Sequence, residues 1–377
     1  MSNRNISHFA ENVLTIRNSM SINHETILYV DLRALENNYN YFKKKLKSDT
    51  KIIAVVKAYA YGHGDIRIAK KLSELGVHAF WVADFEEGVN LRKSGITMPI
   101  IVANPGAKSY NEIIKYNLDP IIYNFRLLEI FGKNTSAISV HIKFNTGMNR
   151  YGFNADEIDL LVSKLVEYSH LKIESICSHL ATSNDKSKDD FTKKQFKKFD
   201  IICKTFSKKL NITPKKHILN TAGVLRFPKQ QKEMVRLGIG LYGIGGDKKL
   251  NPIGKLVSNV AQIRTLKKGG KVGYDSFFVA EKEMKIAIIP LGYADGINRK
   301  LGEGKGKVLI NNTSCSIIGK ISMDSFMIDI SGTNAKEGDL VTIFSKENLV
   351  ATIAKNLDTI AYEILATLNR RIKRVYH

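Results

Sequence analysis

KIIAVVKAYAYGHG, residues 51–64, is the stretch on which the fold turns. Lys51 to Lys57 is nearly all apolar, as a strand buried on both faces should be. After it Asp65 is expected to cap a helix that Gly76 ends. VHAFWVA (77–83) reads as the next strand, and Asp84 to Gly95 as the next helix. Working outward, strand candidates recur near residues 98–103, 119–122, 137–143, 173–178, 216–220 and 233–237. With the first two they number eight. Strand then helix, eight times over, predicts a parallel (β/α)₈ TIM-type barrel across residues 25–255.

A ninth strand candidate, Ile27 to Val30, precedes the eight. A helix with Leu32, Leu35, Tyr39, Phe42 and Leu46 on one face follows it. The extra strand is therefore expected to pair outside the barrel. Beyond residue 255 helical periods fade, and short strands alternate with turns such as Gly269-Gly270, Asn311-Asn312 and Gly332 to Asn334. This predicts a mainly antiparallel β domain over residues 256–377. Within it, a helix-like stretch from Ala351 to Leu368 is interrupted by Asn356 and Asp358. Residues 1–24 are polar and read as an N-terminal extension.

The chain has 377 residues, 44% of them apolar and 25% charged, enough for a substantial core. Its formal charge is +22. Such a balance invites a nucleic-acid reading, but the lysines are scattered, with no zinc-finger spacing and no basic region leading into heptads. A lysine-rich solvated surface that favours anionic ligands accounts for the charge, with no nucleic-acid partner. Cys177, Cys203 and Cys315 are far apart and form neither a metal motif nor a disulfide framework. The polar first residues lack an apolar signal core, and no run is long enough to span a membrane. The expected setting is a reducing cytoplasm, with no membrane association.

Chemistry concentrates at Lys57. The carboxyl ends of barrel strands hold active sites. An amine emerging there is partly desolvated, which lowers its pKa and makes it nucleophilic. On position alone, a lysine that merely snorkels from a strand end fits equally well.

The motifs carry a resemblance. AVVKAYAYGHG (54–64) is similar to the cofactor-lysine signature of the alanine racemases. HIKFNTGMNRYGF (141–153), SHLATSND (178–185), HILNTAG (217–223) and VRLGIGLYG (235–243) resemble further segments of that family, in its order. So do VGYDSFF (272–278), IPLGYADG (289–296), GKISMDSFMIDI (319–330) and TIAYE (359–363). The resemblance runs from residue 27 to the end of the chain.

It implies a pyridoxal-phosphate enzyme that interconverts L- and D-alanine and supplies D-alanine for peptidoglycan. Lys57 holds the cofactor and acts as base on one face of the substrate α-carbon. Tyr274 acts on the opposite face, and racemisation needs a group on each. A phenol is a poor base at neutral pH unless its anion is stabilised. His179 and Arg236 resemble the relay that does this. Arg236 also faces the pyridine nitrogen, and a guanidinium there only donates, so the ring stays unprotonated. By resemblance Tyr61, Thr221, Gly238, Ile239 and Tyr362 bind the phosphate. Arg150, Met323 and Asp324 meet the substrate, Arg150 by the charge-assisted contact that suits a carboxylate. The resemblance further implies a homodimer with shared active sites, the β domain of one chain completing the barrel of the other. No metal is implied.

Four departures stand out. Asn145 replaces the family's usual Asp, Thr221 its usual Ser and Leu237 its usual Pro, and Tyr59 stands where Asn is common. Competing readings are a racemase of another amino acid such as serine, a barrel decarboxylase of basic amino acids, and a pyridoxal-phosphate-binding homeostasis protein. The Gly-Met-x-Arg and Met-Asp segments speak against the second. The β domain and Tyr274 speak against the third.

Overall fold

The computed structural model describes residues 23–134 and 136–377. Residues 1–22 of the expected extension lie outside the described residues. The chain divides into two compact units. One comprises residues 29–255, 345–368 and 376–377; the other takes in residues 23–28, 256–344 and 369–375.

The first unit is built on eight parallel strands. Their hydrogen-bonded order is Lys215–His217, Leu171–Cys177, Ile138–Lys143, Asp119–Ile122, Ile100–Val102, Ala79–Val82, Lys51–Val55 and Met234–Leu237. At the close of the ring Arg236 N donates to Leu219 O at 2.9 Å. Helices alternate with the strands, as expected for a (β/α)₈ barrel. Strand residues Ile52 to Val55 are all buried, which their unbroken apolar run required.

The helix Leu32–Lys45 shows how the sequence sets its own limits. The Asp31 carboxylate accepts from Ala34 N at 2.8 Å and caps it. Leu35, Tyr39 and Phe42 are buried on one face, but Leu46 lies past the helix end and is only half-buried. Asn38 sits among the apolar residues. It donates to Leu241 O and Asn251 O and accepts from Asn251 N, so its amide is satisfied. The expectation for Asp65 needs correcting. Gly64 occupies the cap position of the helix Asp65–Glu74. Asp65 is its first residue, buried, and accepts from Asn90 Nδ2 at 2.9 Å. Its other carboxylate oxygen accepts from Ile66 N at 2.9 Å, so Asp65 serves the helix end from inside the first turn and not from the cap position.

The second unit is a sheet of nine strands in the order Gln262–Leu266, Met284–Ile289, Phe326–Asp329, Thr313–Ile318, Lys307–Ile310, Leu340–Phe344, Gly254–Asn259, Ile27–Val30 and Lys373–Tyr376. The six pairings from Gln262–Leu266 to Gly254–Asn259 are antiparallel. The ninth strand candidate, Ile27–Val30, pairs in this sheet and not in the barrel. A two-stranded ribbon, Lys271–Val272 with Phe278–Val279, carries the turn that holds Tyr274. The helix-like stretch, expected within the β domain, resolves into two short helices, Val350–Asn356 and Ala361–Ala366, which belong to the first unit. Among the described residues, no helix is long and apolar enough to cross a membrane.

Candidate active site

At the carboxyl end of the strand Lys51–Val55 the backbone does something unusual. Ala58, Tyr59, Ala60 and Tyr61 take φ values of 49–55°, and Gly62 follows at 78°. A left-handed turn costs L-residues about 1–2 kcal/mol each, so its surroundings must hold it. Gly62 is essential to the exit, since a Cβ there would lie 2.1 Å from Leu365 O. Tyr376 Oη donates to His63 O at 3.0 Å just beyond. Reversing the chain in this way leaves the half-buried Lys57 side chain in a cavity of about 440 Å³. Burial first, and then the Arg150 guanidinium, push its amine below the ordinary lysine pKa.

Arg236 forms another wall of this cavity and is almost fully buried. Its Nη2 donates to Ser178 O at 2.6 Å and to His179 Nδ1 at 3.0 Å. Its Nη1 donates to His217 Nδ1 at 2.5 Å, and its guanidinium lies 5.1 Å from the centre of the Trp81 ring. A guanidinium has no acceptor, so both histidine Nδ1 atoms must accept. Burial, and then Arg236 itself, hold the pKa of His179 and of His217 well below the usual histidine value. Both rings are therefore neutral, with their protons on Nε2. His217 Nε2 is 3.1 Å from Ser175 Oγ, which is 2.6 Å from His141 Nδ1. His141 Nε2 ends the series 3.8 Å from the Asp119 carboxylate. These side chains come from neighbouring strands and form one buried line.

A cradle of small and hydroxyl-bearing residues lines the cavity beside Tyr61. Thr221 opens the short helix Thr221–Arg226, which Asn220 caps by accepting from Gly223 N. The Thr221 hydroxyl accepts from Gly238 N at 3.2 Å and from Gly240 N at 3.4 Å. A Cβ on Gly238 would lie 2.8 Å from Tyr61 Oη, so no side chain fits there. Tyr61 stands between Tyr242 and Tyr362, with ring centres 4.8 and 5.7 Å away. Ile239 and Tyr362 complete this wall.

Lys143 and Arg150 add two more cations. Burial lowers the Lys143 pKa to about 8, and its ammonium lies 5.5 Å from the centre of the Tyr151 ring. Asn145 orders the loop leading to Arg150. Its Oδ1 accepts from Gly147 N and Asn149 N, while its Nδ2 donates to Asn149 Oδ1 and Asn154 Oδ1. The first two contacts are open to an aspartate as well. The last two need an amide donor, which gives the departure a local reason.

The barrel unit thus brings together Lys57, Tyr61, Arg150, His179, Thr221, Arg236, Gly238, Ile239 and Tyr362 around one cavity. Tyr274, Met323 and Asp324 belong to the other unit. Tyr274 sits on the turn after Gly273, 65% exposed, and is no core residue. Met323 O accepts from Ala294 N at 3.0 Å. Asp324 accepts from Arg371 Nη2 at 2.6 Å, and the same Nη2 together with Nε donates to the Asp295 carboxylate. The reading from sequence missed His217, Ser175, His141, Trp81 and Glu87. His217 opens the HILNTAG segment, and the alternation that turns Lys143 inward also turns His141 inward. Those two were within reach. Ser175, Trp81 and Glu87 are ordinary strand and helix residues in the sequence and carry no such signal.

A barrel mouth walled by Lys57, Lys143, Arg150 and Arg236, with no carboxylate among the described residues that line it, defines a site for a strongly anionic group. The hydroxyl-bearing, side-chain-free cradle at Thr221 and Gly238 fits a phosphate, and the desolvated amine of Lys57 fits a carbonyl. Residues 30–245 match the family model of the alanine racemase N-terminal domain, and residues 253–376 that of the C-terminal domain. The alanine racemase of Treponema denticola is 35% identical over 369 residues, 92% of this chain and 97% of that protein. A structure of the Bartonella henselae alanine racemase with covalently bound pyridoxal phosphate is similar at a TM-score of 0.86. It shares 29% identity and covers 94% of this chain and 100% of that one. The Bacillus anthracis alanine racemase with bound L-Ala-P has a TM-score of 0.87 and 29% identity, covering 94% and 95% of the two chains. The chain belongs to the alanine racemase family.

Proposed function

We propose that this chain interconverts L- and D-alanine, with pyridoxal 5'-phosphate held by Lys57 at the barrel mouth. The observation that carries the reading is the cavity itself. Among the described residues four cationic side chains and no carboxylate line it, and Arg236, the most buried of them, can only donate. When bound, the cofactor supplies a carbonyl that takes up an amino group and a ring that spreads the charge left by a departing α-proton. Tyr61, Thr221, Gly238, Ile239 and Tyr362 hold its phosphate. Arg236, which can only donate, would face its ring nitrogen and would leave that nitrogen unprotonated.

The remaining steps are the protein's. Lys57, with its pKa lowered by burial, takes or returns a proton on one face of the α-carbon. Tyr274 does the same on the other face. Neutral His179 is locked by Arg236 with its proton on Nε2, so it has a donor to offer a phenolate. Arg150 and the Met323–Asp324 segment position the substrate carboxylate. We further infer a cytoplasmic homodimer with shared sites, each joining one chain's barrel to its partner's β domain, that supplies D-alanine for peptidoglycan. Large apolar side chains left exposed in the β unit, Tyr274, Phe277, Val279 and Met323 among them, support a covered surface.

The test is incubation of the purified protein with each L-amino acid in deuterated water. α-Deuteration with inversion of alanine is expected, and borohydride should fix the cofactor to Lys57. Inversion confined to another amino acid, or a reduced adduct on another lysine, would overturn the reading.

A further inference from the structure

Glu87 lies in the first turn of the helix Phe85–Lys93, one strand away from Lys57, and plays no part in the chemistry above. Its carboxylate spans two backbone amides. Oε1 accepts from Ala58 N at 2.6 Å, and Oε2 accepts from Ala83 N at 2.7 Å. These are the residues that leave two neighbouring barrel strands. Ala58 is also the first residue of the left-handed run. The ladder reaches Val56 N, which donates to Trp81 O at 3.0 Å, and the chain then turns away. The turn's own hydrogen bonds begin at Ala60 N, which donates to Val56 O. Ala58 N therefore has neither ladder nor turn to satisfy it, and a half-buried amide without a partner is costly.

We propose that Glu87 is a positioning residue for Lys57, its carboxylate clamping the start of the left-handed run to the neighbouring strand end and so fixing where the lysine amine projects. The inference rests on Lys57 being the cofactor lysine. The geometry gives the run the external restraint that its strain requires, and places that restraint at its first residue. The carboxylate also acts by charge. Arg150, Lys143, Arg236 and His179 share the cavity with Lys57, and behind burial it is Arg150 that disfavours its protonation. Glu87 opposes it. Asp84 and Asp65 face Glu87 in turn and, behind burial itself, raise its own pKa.

The full-length protein with Glu87→Gln or Glu87→Ala tests this. An amide in place of the carboxylate keeps the length and one acceptor, so E87Q can hold only one of the two backbone amides, and E87A holds neither. Hydrogen exchange resolved to single residues should show one of Ala58 and Ala83 about tenfold or more faster in E87Q, and both in E87A. Exchange in the strand Asp119–Ile122 should be unchanged, which establishes that the variants are folded. In cofactor-stripped protein, acetic anhydride labelling of Lys57 followed across pH should show its midpoint lower in E87Q than in wild type, because a neutral amide no longer favours the ammonium. A purely structural role would not move that midpoint. Unchanged protection of both amides, or an unmoved midpoint, overturns the proposal. A borohydride adduct found on another lysine would instead refute the cofactor assignment, with the exchange result still standing on its own.

Discussion

Lys143 is a lysine in the wrong place for its charge. It is 7% exposed, it shares a cavity with three other cations, and burial lowers its pKa to about 8. In the unfolded chain it keeps an ordinary value near 10.4. Between these values the unfolded state binds more protons than the folded one, so stability rises with pH from about 8 to about 10. Below that window both states are protonated, and the folded one carries the cost, of order 2–3 kcal/mol. Lys143→Met should therefore raise the melting temperature at pH 7 and flatten its rise toward pH 10. Thermal denaturation at the two pH values checks both effects. Arg236 is a second buried cation whose pKa burial lowers, to about 10, but both of its Nη groups have hydrogen-bond acceptors. Arg236→Glu replaces a pure donor by a group that can accept from a protonated ring nitrogen. It should shift the absorption of the bound cofactor and slow racemisation by about 10²-fold or more, a loss typical of removed electrostatic stabilisation. An unchanged spectrum with normal turnover would remove Arg236 from the ring nitrogen.

Elements show where the sequence was readable. All eight barrel strands lie close to their expected places, and the apolar runs Ile52–Val55 and Ala79–Val82 were the plainest, because a strand buried on both faces has almost no freedom of composition. The extra strand Ile27–Val30 was legible by counting, since eight already close a ring. The left-handed run was not. AYAY, residues 58–61, contains no glycine, and nothing in its composition predicts four successive positive φ values. Its cause lies in Glu87, Gly62 and Leu365, which are distant in sequence or unremarkable singly. The same holds for the site. Lys57, Arg150 and Arg236 could be read from ordered motifs, whereas Ser175 has meaning only once strand pairing sets it between two histidines. Two variants probe these elements. Gly62→Ala puts a Cβ 2.1 Å from Leu365 O at a φ that favours glycine, and should cost more than about 1–2 kcal/mol, read by denaturant unfolding. Ser175→Ala leaves His217 Nε2–H without its acceptor, and should cost about 1–3 kcal/mol by the same measurement.

At the scale of the whole molecule, the residues of the proposed reaction are divided between two units of the chain. Lys57, Arg150, His179 and Arg236 sit in the barrel unit, and Tyr274, Met323 and Asp324 in the β unit. If each site draws on two chains, separately inactive variants should complement. Lys57→Ala and Tyr274→Phe, mixed under conditions where chains exchange, should form about half of their dimers as mixed pairs. One site of each mixed dimer then carries both lesions and the other carries neither. Activity should rise from near zero to roughly a quarter of wild type per total site. Proven exchange without recovery would show that each site is built from a single chain.

The buried line from Arg236 through His217, Ser175 and His141 toward Asp119 crosses the barrel between neighbouring strands. It has the look of a proton wire. A wire of this kind carries charge only if every member can hand its proton on and then turn round to receive another. Arg236 cannot be reset in that way, because a guanidinium in contact with the cavity offers hydrogens and has no lone pair to take one. The line is therefore an insulator at its catalytic end. It orients but does not conduct, and in the proposed reaction it gives a proton taken from a substrate no way out of the cavity through Arg236.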